Sequence, residues 1–185
     1  MNTFLPYPLF DESAAVLDDS RLRKQLVECG QILDVLSGKS DGWKNHPAVK
    51  QWVGFEESLI SYTNQISAEC SRRNFNSIPI QKVGYGKFPG WLGDEKFHSS
   101  HRSKLLWKGR VDAVCYSLRR FLRVKSINEW LVKYGFSEKN VLTRPEVEYL
   151  EKYSAEIGCK VGKNHYTQFS WTEPDNLPYV WPSKV

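Results

Sequence analysis

From Phe97 to Leu106 the chain reads Phe-His-Ser-Ser-His-Arg-Ser-Lys-Leu-Leu. His98, His101, Arg102, Ser103 and Lys104 are interleaved with Ser99 and Ser100, so imidazoles, cations and hydroxyls crowd one short run. Such a run is costly to bury without partners, and its donors suit an anion, a phosphate above all. A second polar set lies upstream. Asp18, Arg21, Gln25 and Glu28 follow one another at i, i+3, i+7 and i+10 and form one ladder along a helix. Facing water, the ladder is a salt-bridged surface; facing a cleft, it offers general acid–base chemistry. A third set, Lys44, Asn45 and His46, stands directly before Pro47. It reads as a phosphate clamp or base-edge reader, or as simple capping of a helix that starts there.

The elements that position these sets are helical. Pro6 and Pro8 exclude a helix over 4–8, which leaves an extended N-terminal arm. Asp11 can cap a helix that starts near Glu12 and runs to about Ser37, with a break near Asp19; Leu22, Leu26, Cys29, Leu33 and Leu36 form its apolar stripe. Gly38 stops it. A second helix is expected from Pro47 to about Arg73, with Trp52, Leu59 and Ile66 on its core face and Phe55 and Tyr62 alongside. Residues 74–93 form a long loop. A third helix is expected to start near Ser99 or Ser100 and run to about Val124, so His101, Arg102 and Ser103 fall in its first turn, where free N–H groups favour an anion. Two more helices are expected at Ser126–Tyr134 and Pro145–Ile157, followed by an irregular aromatic tail. Strand alternation is nearly absent, and the fold class is all-α.

The 185 residues, 41% hydrophobic and 25% charged, fit one globular domain. No apolar run approaches the roughly 18 residues that span a bilayer, and the N-terminus does not read as a signal peptide. A cytoplasmic protein with reduced cysteines is expected, with no metal, since Cys29, Cys70, Cys115 and Cys159 show no clustered spacing. Net charge is +5, but from Arg102 to Lys125 eight basic residues face a single acid, Asp112. This window is either a solvated helix face or a phosphate-contacting one with salt-dependent affinity. Aromatics reach 14%; most belong to the core, and Tyr7 and Trp91 are candidates for stacking on bases.

Several motifs together resemble a known family. Phe4-Leu5-Pro6-Tyr7-Pro8, Leu17-Asp18 with Arg21-Leu22 and Lys24-Gln25, the stretch from Gly42 to Val49, Trp91-Leu92-Gly93, the run from Phe97 to Ser103, and Leu177 to Pro182 look like small bacterial and phage proteins classed with the pyrimidine-dimer DNA glycosylases. The resemblance covers roughly 4–108 and the tail, and 110–143 reads as an insertion. It implies a compact helical fold with an N-terminal arm threaded between helices. It also implies base flipping, glycosidic cleavage and strand cleavage through a Schiff base on the N-terminal α-amine, assisted by a glutamate on the first helix.

The sequence departs from that pattern at both reacting groups. Asn2 is bulkier than the residues after which an initiator Met is removed efficiently, so Met1 itself would have to reach the sugar C1′. The register of the first helix puts Arg23 or Leu22 where the glutamate is needed, and Glu28, one turn after Gln25, is the nearest carboxylate on the ladder. The expected catalytic set is therefore Glu28, Gln25, Arg21 and Met1. Hydrolysis with Glu28 or Asp18 polarising a water is the fallback. The expected phosphate contacts are His98, His101, Arg102, Ser103, Lys104, Lys44, Asn45 and His46. The expected partner is double-stranded DNA carrying a damaged or modified base, met by a monomer without cofactor or membrane. The competing readings are a nucleic-acid-binding module that kept the fold without the chemistry, and a nucleotide hydrolase or transferase. Salt dependence separates them, being steep for long DNA and shallow for a mononucleotide.

Overall fold

The structure is a computed structural model that describes residues 2–84 and 86–182. Its elements are α1 (Phe10–Ala15), α2 (Asp19–Leu36), α3 (Pro47–Lys50), α4 (Glu56–Arg72), α5 (Glu95–Phe121), α6 (Ile127–Lys133) and α7 (Arg144–Glu156), with 3₁₀ turns at Lys139–Val141 and His165–Gln168. No strand occurs among the described residues, so the chain is all-α. No helix is long and apolar enough to cross a membrane among the described residues.

The chain divides into two compact units, Met1–Arg102 with Leu177–Val185, and Ser103–Asn176. The expected insertion at about 110–143 falls inside the second unit, which extends beyond it at both ends.

In the first unit α2 and α1 pack on α4, around fully buried Leu5, Leu17, Leu22, Ile32, Trp52, Leu59, Tyr62, Ile66 and Phe97. The first helical stretch is two helices, divided at the break expected near Asp19. Asp18 ends the turn after α1 and caps α2, its carboxylate accepting from the N–H groups of Ser20 (3.1 Å) and Arg21 (3.0 Å). α1 has no basic residue in its last turn. Arg73 supplies one from the end of α4, donating to the carbonyls of Ala15 (2.8 Å) and Leu17 (2.7 Å). The expected second helix is also split, because Gly54 turns the chain with φ +81° between α3 and α4.

In the second unit, the C-terminal part of α5 packs with α6 and α7 around Val114, Leu118, Leu131, Val147 and Leu150, all fully buried. Both short helices lie close to their expected bounds. Ser126 caps α6, and a Thr143–Glu146 capping box starts α7.

Candidate active site

An extended arm has N–H and C=O groups that its own backbone cannot satisfy, and burying it demands partners from elsewhere. Asn2 to Pro6 are all buried, and the partners are side chains of the first unit. The Asn2 N–H donates to Oε2 of Glu28 at 3.1 Å, while the Asn2 carbonyl accepts from Nε2 of Gln25 at 2.6 Å. Gln25 Oε1 accepts the Phe4 N–H at 2.6 Å. The Tyr62 hydroxyl lies 2.7 Å from the Phe4 carbonyl and 3.0 Å from Gln25 Oε1. Thr3 Oγ1 accepts from Nε2 of Gln51 (2.6 Å) and Nε1 of Trp52 (3.1 Å).

Glu28 is 7% exposed. Its carboxylate is met by Gln25 Nε2 at 3.1 Å and by the solvated Lys24 ammonium at 3.6 Å, besides the Asn2 nitrogen. Burial raises the Tyr179 phenol above its ordinary value, against the opposing pull of a hydrogen bond with Asn2 and of the Arg21 charge, while Glu28 adds to the rise. Burial likewise raises Tyr62, with Cys29 and Glu28 reinforcing it. The arm, Gln25, Glu28, Tyr62 and Tyr179 thus make one hydrogen-bonded, low-dielectric neighbourhood around a carboxylate and a backbone nitrogen. Arg21 reaches this neighbourhood through its charge and is itself paired with Asp18 at 2.5 Å. Asp18 caps α2 and pairs with Arg21. Met1 lies outside the described residues.

The run from Phe97 to Ser103 has a different task from the one its composition suggests. α5 begins at Glu95 rather than at Ser99, with the Asp94 carboxylate accepting the Lys96 N–H at 3.0 Å. The anion-favouring helix end therefore already holds an acid, and His101 to Ser103 lie beyond the first turn. His98, His101 and Ser103 are fully buried and Arg102 is 7% exposed. His101 Nδ1 accepts the Leu5 N–H at 3.2 Å, and His98 Nδ1 meets the Leu5 carbonyl at 2.8 Å. Arg102 donates to the Pro6 carbonyl at 2.7 Å and pairs with Glu95. Burial lowers the pKa of His98, with the Leu5 hydrogen bond opposing and the Arg102 charge adding to the fall, and burial brings His101 down to about 3, with His98 adding. In this structure the buried side chains of His98, His101 and Arg102 are engaged with the arm rather than presented at the surface. They clamp the arm. Ser100 ties down the tail by accepting the Val180 N–H at 3.1 Å. Ser103 belongs to the second unit, where its hydroxyl donates to the Pro174 carbonyl. Lys104, half-buried, lies in that unit as well.

Lys44, Asn45 and His46 are divided by the fold. His46 caps α3, its Nδ1 accepting the Ala48 N–H at 3.1 Å. Lys44 and Asn45 are exposed, Lys44 with a solvated Asp41 at 3.3 Å. The His46 ring lies edge-on between Trp43 (5.7 Å) and Trp181 (6.2 Å); burial lowers its pKa, and Glu28 opposes the change. Asn45, Pro47, Lys50, Trp181 and Pro182 line a shallow pocket there. Trp43 is 66% exposed at φ +65°, a conformation that a bulky side chain disfavours. Of the expected stacking residues, half-buried Trp91 packs against Trp52 (5.1 Å) and Phe97 (4.7 Å), and Tyr7 lies under Arg102.

Sequence reasoning missed Tyr62, Tyr179, Trp43 and Trp181. Tyr62 sat on an apolar face and read as core; its hydroxyl was the only signal of a second role. Trp43 was signalled only by an aromatic between Gly42 and Lys44 in a polar loop.

Neither a curated protein nor a solved structure matches the chain. Residues 1–80, which carry the arm, Gln25, Glu28, His46 and Tyr62, match the family model described as pyrimidine dimer DNA glycosylase.

Proposed function

We propose that the DNA glycosylase chemistry of this family is performed here by the Asn2 nitrogen and the Glu28 carboxylate, on a damaged or modified pyrimidine in duplex DNA. The observation that carries the reading is their 3.1 Å separation in a buried setting. A nucleophile and the group that moves its proton must lie within hydrogen-bond reach. In chains that lose Met1, a removal that the size of Asn2 makes inefficient, the Asn2 nitrogen is an α-amine, with an ordinary pKa of about 8 and hence a neutral fraction near pH 7.

The amine lone pair attacks the sugar C1′ of the lesion. The C1′–N bond breaks, and its electrons leave on the base, which takes up a proton. The attached nitrogen gives up a proton, and Glu28, as acid, protonates O4′ as the ring opens, leaving an iminium. Removal of a C2′ proton then expels the 3′ phosphate, and water hydrolyses the imine to restore the amine. With Met1 retained, the Asn2 nitrogen is an amide without an available lone pair. Glu28 then activates a water, and the base is released by hydrolysis alone.

Trp43 and Trp181 supply faces for an unstacked base, and exposed Lys44, Asn45 and Lys50 supply contacts to the flanking backbone.

The test is incubation with ultraviolet-irradiated duplex and with abasic-site duplex in borohydride, with the adduct mapped by mass spectrometry. An adduct on the Asn2 nitrogen is the expected result for a chain lacking Met1. Glycosidic cleavage to an abasic site without an adduct marks the hydrolytic form. Neither adduct nor glycosidic cleavage, with the duplex still bound, overturns the reading for these substrates.

A further inference from the structure

The second unit, Ser103–Asn176, lies beyond the family match, and the candidate active site uses none of its side chains. Its charges are unevenly engaged. Asp112 pairs with Lys139, Glu151 and Asp175 hold Arg110, Asp175 and Glu148 hold Arg144, and Glu146 closes the capping box of α7. Arg119, Arg120, Arg123 and Lys125, at the end of α5 and in the turn after it, are all exposed. No ion pair reaches any of the four among the described residues. Tyr116, 60% exposed, stands beside them with the Arg120 guanidinium 5.8 Å from its ring centre. Positions 116, 119 and 120 follow the i, i+3, i+4 spacing and share one helix face, and Arg123 follows in the turn after it.

Cations in a last turn offset the helix dipole, which accounts for part of this set. It does not account for Arg123. That residue holds the left-handed position that ends α5, at φ +52°, with the Val124 N–H closing the turn on the Arg119 carbonyl at 3.2 Å. The backbone there favours glycine. After α2, α6 and α7 the corresponding residues are Gly38, Gly135 and Gly158, at φ +74°, +83° and +74°, and α4 ends with Asn74 at φ +60°. At the end of α5 a long cationic side chain is kept against the backbone preference. Strain retained under a chemically distinctive, solvated side chain points to a use for that side chain.

We infer that Tyr116, Arg119, Arg120, Arg123 and Lys125 form a second DNA-contacting surface, one that grips the phosphate backbone of undamaged duplex. The inference rests on the reading of the first unit as a DNA enzyme. Three of the four cations are arginines, whose planar forks match phosphate oxygens two at a time. A grip made through phosphates falls steeply with salt. Its effect is to keep the chain on DNA between lesions.

The test uses the full chain and short undamaged duplex, with the slope of log affinity against log salt as the readout, together with thermal unfolding. Arg123→Gly removes one cation and relieves the backbone, so it cannot fail by unfolding. It is expected to raise Tm while lowering affinity and reducing the slope by about one. Arg119→Gln with Arg120→Gln is expected to reduce the slope by about two. A rise in Tm for Arg123→Gly with affinity and slope unchanged overturns the inference, since that is the outcome for a residue that only caps. Polyglutamate bound by wild type as tightly as duplex overturns the choice of partner and marks an acidic protein instead. Wild type that releases bases, beside variants with unaltered slopes, removes this inference and leaves the enzyme reading standing. Wild type that neither releases bases nor binds duplex removes both.

Discussion

The backbone N–H of Leu5 donates to Nδ1 of His101 at 3.2 Å, across a sequence separation of 96 residues. The acceptor nitrogen must be unprotonated, and its surroundings keep it so: the His101 ring is packed against Phe4, Phe97 and Tyr179. His98 takes the other side of the same residue. Its Nδ1 donates to the Leu5 carbonyl at 2.8 Å, and its Nε2 accepts the Gly93 N–H at 2.9 Å. The tautomers follow from these partners. Two imidazoles one helical turn apart therefore fix both backbone groups of one arm residue, three positions from the nitrogen that meets Glu28. The histidine-rich motif acts on the candidate chemistry by positioning the arm.

This clamp makes stability depend on pH. His101 has a folded pKa of about 3 against an ordinary value of 6.5, because burial disfavours its charged form. The unfolded chain therefore binds the extra proton first. Stability is fully present above pH 6.5 and is lost as pH falls from there toward 3, at up to about 1.4 kcal/mol per pH unit for one proton. His98 is lowered for the same first reason and adds in the same direction. The urea midpoint is expected to drop between pH 7 and pH 5, before most carboxylates titrate. His101→Gln keeps an acceptor for Leu5 without a proton to bind and should flatten the decline. An equally steep decline in that variant would falsify the assignment.

Glu28→Gln isolates the carboxylate. Glutamine keeps the size and an acceptor oxygen for the Asn2 N–H, so the arm stays seated, but it neither takes nor gives a proton. Single-turnover base release should fall by roughly 10²–10⁴-fold, the range for a lost general acid–base group, while damaged-duplex affinity changes little. Turnover that survives the substitution rules out Glu28 as the proton-moving group.

The parts of the fold that were legible in the sequence are those decided locally. Ser126 before α6 and Thr143 before α7 are caps adjacent to short apolar stretches, and both helices fall within a residue of expectation at each end. Glu28 and Gln25 were legible because ladder spacing survives any error in helix bounds. The start of α5 was not, because the Asp94 cap lies ahead of a motif whose polarity drew attention away from it. The role of His98, His101 and Arg102 was hidden for a deeper reason. Their residue types announce a polar partner, but that partner is the backbone of residues 5 and 6, and a contact spanning more than ninety positions leaves no periodic trace.

Gly109 is a packing site in the middle of a helix. A Cβ there would lie 1.9 Å from Asn164 Oδ1 and 2.9 Å from Tyr166 Cδ2. Asn164 is not free to withdraw: its Nδ2 donates to the Leu106 carbonyl at 2.8 Å, and its Oδ1 accepts the Tyr166 N–H at 3.0 Å. Alanine favours a helix over glycine by about 1 kcal/mol, but overpacking costs about 1–3 kcal/mol and is compounded here by two broken hydrogen bonds. Gly109→Ala should lower the urea midpoint despite its better propensity. Gly109→Ala combined with Asn164→Gly should recover part of the loss. A single variant as stable as wild type would show that the 158–171 segment yields without cost.

Trp43 links strain to exposure in the first unit as Arg123 does in the second. It is 66% exposed at φ +65°, so its indole gains little from burial and its backbone would prefer glycine. Trp43→Gly should therefore stabilise the fold by about 0.5–1 kcal/mol, the usual cost of a side chain where glycine fits better. Stacking of a base on an aromatic ring is worth about 1–3 kcal/mol, so affinity for damaged duplex should fall by about tenfold or more. The salt slope should stay constant, because no charge is lost; that separates stacking from the phosphate contact expected of Lys44, whose removal reduces the slope. A Trp43→Gly chain that gains stability and keeps its affinity would leave the strained indole without a stacking role.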